Sequence, residues 1–219
     1  WPLAGIFALG ALQGVVGWLM VQSGLVDDPR VSQFRLTAHL GLAVGIFAGM
    51  LWIALSLAFP ATNDPKDRHT RSLRRFADGL VALTFVMILS GGLVAGLRAG
   101  FAYNTFPLMQ GRIVPPEILM LDPWWKNFFW NMATVQFDHR LIAWVLACSV
   151  PLFWWRLWHS DAPARAKMGG SALLAMVAVQ VSLGIATLVN VVPLPLAALH
   201  QAGAVGLLAL TVSVAHALR

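Results

Sequence analysis

Six histidines are the residues best able to do chemistry in this chain of 219 residues, which carries one cysteine and nine acidic side chains. Imidazole is a ligand for haem iron, zinc and copper. His69 and His159 lie among basic residues, where solvation accounts for them. His216 lies near the end of the last apolar run, where snorkelling to the membrane interface accounts for it. His39, His139 and His200 differ. Each sits about four to six residues inside an apolar run, so at ~1.5 Å per helical residue the three share one shallow depth. Ionisable residues inside such runs are costly and mark functional sites by default. Zinc would want three or four convergent ligands, commonly with Cys or carboxylate. The only carboxylate beside these histidines is Asp138, and Cys148 stands alone. Two imidazoles facing each other across a bundle, among apolar and glycine neighbours, suit the two axial positions of a haem. His139 and His200 are the expected axial pair; His39 is expected to pair with a histidine outside this sequence.

Helices of a membrane bundle must position these side chains. Hydrophobic residues make up 58% of the chain and charged residues 11%, whereas soluble domains run near 45–50% and about 25%. So few charges cannot solvate a water-soluble fold of this length. A helix needs about 20 mostly apolar residues to cross a bilayer, and six segments qualify: 3–22, 35–59, 76–97, 134–157, 170–190 and 196–218. None alternates with the period of a barrel strand. The predicted fold is therefore all-α, a polytopic bundle of six membrane spans. The formal charge of +6 falls in short loops, which argues for membrane orientation and against a nucleic-acid partner. Lys66, Arg68, Arg71, Arg74 and Arg75 follow span two, Arg156, Arg165 and Lys167 follow span four, and Arg219 follows span six. Residues 23–34 balance Arg30 with Asp27 and Asp28, and the long 98–133 loop holds only Arg98, Arg112 and Lys126. The positive-inside rule then puts the basic loops in the cytoplasm and the three histidines near the outer face.

The long loop reads as an ordered cap on that face. Trp124, Trp125, Phe128, Phe129 and Trp130 cluster before span four as an aromatic belt, and Pro107, Pro115 and Pro116 exclude a helix around them. Arg35, Arg98, Arg112 and Arg140 lie at the same outer depth, where they could pair haem propionates or anchor the interface. Gly41, Gly45 and Gly49, like Gly92, Gly96 and Gly100, recur every fourth residue, which suits close helix packing or a groove for a flat macrocycle. Cys148 is expected to be a small buried hydrophobe. Trp1 enters an apolar run with no basic region ahead of it, so a signal peptide is not expected and the chain reads as a piece of a longer protein.

Spans one and two resemble spans five and six. Leu12-Gln13-Gly14-Val15-Val16-Gly17 aligns with Val179-Gln180-Val181-Ser182-Leu183-Gly184, and His39 and His200 each open a His-x4-Val-Gly frame. A real repeat implies two four-helix halves, of which the first is represented here by one helix pair.

The motifs Thr37-Ala38-His39-Leu40-Gly41, Ala102-Tyr103-Asn104-Thr105-Phe106-Pro107-Leu108-Met109, Gln136-Phe137-Asp138-His139-Arg140 and Leu199-His200-Gln201-Ala202-Gly203 together resemble the haem A synthase family, in its proteobacterial and mitochondrial branch. The resemblance implies an eight-helix protein of the bacterial inner (plasma) membrane that oxidises the C8 methyl of haem O to a formyl group, making haem A for cytochrome oxidase. It implies haem b held by His139 and His200, substrate haem near His39, and two further partners: a haem O-forming enzyme and an unidentified electron donor. It divides the chain into residues 1–59, the second helix pair of a substrate-haem half; 60–75, a basic linker; and 76–219, the haem b half. The family's acidic residue thought to be catalytic lies outside the sequence, so the chain alone is expected to be inactive. A non-enzymatic bis-histidine cytochrome b, carrying electrons only, is the alternative.

Overall fold

The computed structural model describes residues 2–22, 31–60 and 68–219, with the side chains of Pro2, Arg68 and His69 excepted. Arg30, Asp27, Asp28, Lys66 and the first residues of the basic linker lie outside the described residues. The chain is helical: α1 (Pro2–Gln22), α2 (Gln33–Ala58), α3 (Arg68–Gly96), a short α4 (Asn127–Trp130), α5 (Met132–Trp158), α6 (Ala164–Val189) and α7 (Leu194–Ala217). All but α4 are long and apolar enough to span a membrane, so the chain is an all-α, multi-pass membrane protein. Every backbone polar group must be satisfied inside the bilayer core, and only helices do so without a closed barrel.

Helix starts differ from the apolar runs where charge lies on the helix itself. α3 begins at Arg68, well before the apolar run at 76, and α6 begins at Ala164, before the run at 170. Arg and Lys are good helix formers, so the backbone stays helical after hydropathy fails. Asn131 caps α5, its side chain accepting from the amides of Ala133 and Thr134.

Four helices close a ring. α3 packs on α5, α5 on α6, α6 on α7, and α7 back on α3. α5 and α7 therefore stand at opposite corners. Leu73, Leu80, Val150, Phe153, Leu157, Leu173 and Leu207 fill the end of the ring away from the long loop. α2 packs outside the ring on α3 and α7, and α1 packs on α2. A Cβ on Gly92 would lie 2.9 Å from Thr37 Oγ1, and one on Gly96 would lie 2.6 Å from Gln33 Cα. Two of the recurring glycines thus bring α2 against α3. Cys148 is exposed on the outer surface of α5, not buried: its position faces away from the helices that flank α5.

The 97–131 segment is ordered, as expected, and packs against the ends of the helices. Asn104 donates to the carbonyls of Gly100 and Leu188, both at 2.9 Å, tying the loop to the end of α6. Thr105 Oγ1 donates to Leu108 O at 2.7 Å and accepts from the Gln110 amide at 2.8 Å. Fully buried Asn127 holds Leu121 through both amide atoms. Phe34 of α2 meets the rings of Phe129 and Trp130, so the aromatic cluster also covers the top of α2.

His216 departs from expectation. It does not snorkel; it is 2% exposed. Arg165 donates to its Nδ1 at 3.3 Å, its Nε2 meets Ser56 Oγ at 3.3 Å, and Trp52 packs edge-on at 5.0 Å. Arg219 also donates to Ser56 Oγ, at 2.9 Å. The histidine joins α2, α6 and α7 at the end opposite the cap.

Candidate functional site

His39, His139 and His200 occupy the seventh or eighth position of α2, α5 and α7, about 10 Å below the helix starts at 1.5 Å per residue. Each is half-buried. His139 and His200 rise from opposite corners of the four-helix ring. His39 stands apart, between α1 and α2.

Each of the three rings has a distinct polar environment. Ser90 Oγ of α3 lies 2.8 Å from His139 Nδ1 and donates its own proton to Met87 O at 2.8 Å. The Nδ1 of His200 is buried without a partner, as is that of His39. Gln180 Nε2 donates to the backbone carbonyl of His200 at 2.6 Å, and Gln13 Nε2 donates to that of His39 at 3.1 Å. Gln13 Nε2 also reaches the ring, 3.2 Å from His39 Nε2. The sequence repeat has a counterpart in these contacts, including the unpartnered Oε1 of both glutamines.

Glycine makes room for two of the rings. A Cβ on Gly184 would lie 2.9 Å from His200 Cε1, and one on Gly17 would lie 2.9 Å from His39 Cε1. A real side chain at either position would push the imidazole aside.

The motif beside His139 binds the cap. Buried Gln136 and half-buried Arg140 both donate to the Tyr103 carbonyl, at 2.9 and 3.1 Å. Arg140 keeps Nε and Nη1 buried with no partner. An unpaired buried guanidinium is costly, and a carboxylate at the site would satisfy both donors. Of the other arginines at this end of the helices, Arg35 is engaged with Leu19 O at 2.8 Å, and Arg98 and Arg112 are exposed. Tyr103 donates its hydroxyl to Glu117. Burial and the hydrogen-bonded Glu117 carboxylate push its phenol up to about 12, against a smaller opposing effect of Arg112.

These residues fit a haem. Two imidazoles on opposite corners of the ring and orphaned guanidinium donors beside one of them are what an iron macrocycle with carboxylate side chains would need. Among the described residues no three of His, Cys, Asp or Glu gather into a metal cluster, so a tetrahedral zinc site lacks donors there. Sequence reasoning located the three histidines and missed Ser90. Gln13 and Gln180 were visible in the repeat, but only the structure brings their amides to the histidines.

The family model described as COX15-CtaA, cytochrome oxidase assembly protein, matches residues 1–212. The chain belongs to this family. It is 58% identical to the "Heme A synthase" of Nitrosospira multiformis, over 99% of this chain and 61% of that protein. It is 54% identical to the "Heme A synthase" of Nitrosomonas eutropha, over 93% and 57%. It is 45% identical to the "Heme A synthase COX15" of Mus musculus, over 91% and 50%. The chain therefore spans only about half to three-fifths of the length of these COX15-CtaA relatives.

Proposed function

We propose that the whole protein containing this chain is a haem A synthase, an inner-membrane oxidoreductase that converts the C8 methyl of its substrate haem O to a formyl group. One observation carries the reading: His139 and His200 stand on opposite corners of a closed helix ring, each seven or eight residues from its helix start. The haem A synthase names that its relatives carry support the reading.

His139 and His200 would hold the iron of a resident haem b, and the unpartnered donors of Arg140 would hold one of its carboxylate side chains. When bound, haem b supplies one-electron transfer. His39 binds the substrate haem, with a second histidine and an acidic catalytic residue supplied from outside this chain. The α2–α3 packing fixes the separation of the two sites. The cap shields the haem b end of the ring from water, so exclusion of side reactions falls to residues 97–131. The cap lies on the outer face and the His216 corner on the cytoplasmic face. Substrate comes from a haem O-forming enzyme, and electrons pass through a redox partner.

The test is to supply haem O to the whole protein and to its His39→Ala variant, then extract and separate the pigments. Haem A from the wild type, with at least about a 100-fold loss in the variant while haem b is retained, is the expected result. A bound haem b with no haem A from the wild type would make the protein an electron carrier.

A further inference from the structure

We propose that Ser90 is a positioning residue for the haem iron: its hydroxyl oxygen accepts the Nδ1 proton of His139 and so presents Nε2 as the ligand atom. The inference rests on the haem b reading above.

The argument is one of proton counting. A serine hydroxyl has one proton. The Met87 carbonyl can only accept, and it lies 2.8 Å from Ser90 Oγ. With the hydroxyl proton committed there, Ser90 Oγ faces His139 Nδ1 at 2.8 Å as an acceptor. Neutral imidazole has one N–H, so placing it on Nδ1 leaves the Nε2 lone pair free. The same bond restrains ring rotation, because α3 holds Met87 and Ser90 on one turn while α5 holds His139. An acceptor on the distal N–H also makes an imidazole a stronger donor to metal. His200 lacks this arrangement: its Nδ1 is buried with no partner. Of the two axial rings, then, one is oriented by a hydroxyl before iron arrives and the other only by packing and by the hydrogen bond to its backbone.

The measurement is a redox titration of the b-type absorbance in the whole protein carrying His39→Ala, which leaves the ring site as the source of the signal. Ser90→Ala should raise the midpoint potential, since a weaker donor stabilises ferric iron less, and should lower haem affinity by about 10-fold. Ser90→Thr, which keeps the hydroxyl, should restore both values. A potential and affinity in Ser90→Ala equal to those of the parent would overturn the role of Ser90 and leave the haem site standing. Absence of any b-type signal from the parent, or its persistence in His139→Ala, would overturn the haem reading and this inference together.

Discussion

The helix pair α1/α2 and the helix pair α6/α7 carry the same three-residue arrangement in different settings. In both, a glutamine donates to the backbone carbonyl of a histidine on the next helix, and a glycine lies against that histidine's Cε1. The settings diverge at the ring. Gln13 covers His39 Nε2 at 3.2 Å, whereas Gln180 makes its described hydrogen bond to the His200 backbone alone. His200 has His139 on the opposite corner of a closed ring, while α1 and α2 carry no histidine besides His39. A shared local frame places an imidazole; the helices around it and the occupant of its Nε2 decide what it binds. A site where an amide must leave before iron can bind suits a substrate that comes and goes. A site with Nε2 free suits a resident cofactor.

Filling the glycine space should separate the two sites most strongly. Gly184→Val displaces the His200 ring, and overpacking of about 1–3 kcal/mol predicts a loss of haem b of about 10-fold or more, read from pigment content per protein. Gly17→Val should leave haem b in place and lower haem A formation instead. Equal loss of haem b in both variants would erase the distinction.

The glutamines give a smaller effect of opposite sign. Gln13→Leu removes a competitor for His39 Nε2, and a hydrogen bond of about 1 kcal/mol predicts binding of haem O tighter by roughly 5-fold, measured by equilibrium titration. Gln180→Leu frees no ring nitrogen, so it should bring no gain at the resident site and cost about 1 kcal/mol of stability. Tighter binding at both sites would show that the ring contact of Gln13 is without consequence.

The smallest effect concerns the cap where Tyr103 meets the second site. Tyr103 is the single tyrosine of this chain, so the difference between ultraviolet titrations of the protein and its Tyr103→Phe variant reads it. Its folded phenol sits at about 12, against an ordinary value near 10. The folded value is the raised one, so the cap's contribution is fully present below pH ~10 and is lost as pH rises through about 12. A midpoint at the ordinary value would mean that Tyr103 is not buried against Glu117.

Legibility of the molecule in its sequence followed the range of the interactions. Hydropathy located the spans because bilayer thickness imposes one length on each, and the depth of His39, His139 and His200 followed by counting from the span ends. Hydropathy misplaced the start of α3, where Arg74 and Arg75 continue a helix that has left the apolar run. Contacts between distant segments were not visible. Ser90 looks like any serine bonded to its own helix until α5 brings His139 to it. His216 looks like an interfacial residue until α2 brings Ser56 and Trp52. The Asn104 and Thr105 motif was recognisable by type, but its use in shaping the cap depends on the end of α6 lying within reach.

The central claim is that His139 and His200 together hold one haem. A reduced-minus-oxidised absorbance spectrum of the whole protein in detergent tests it most directly, taken on the wild type, His139→Ala and His200→Ala. A low-spin b-type signal in the wild type that is lost in each variant is the predicted result. A normal low-spin signal surviving in both variants would contradict the assignment.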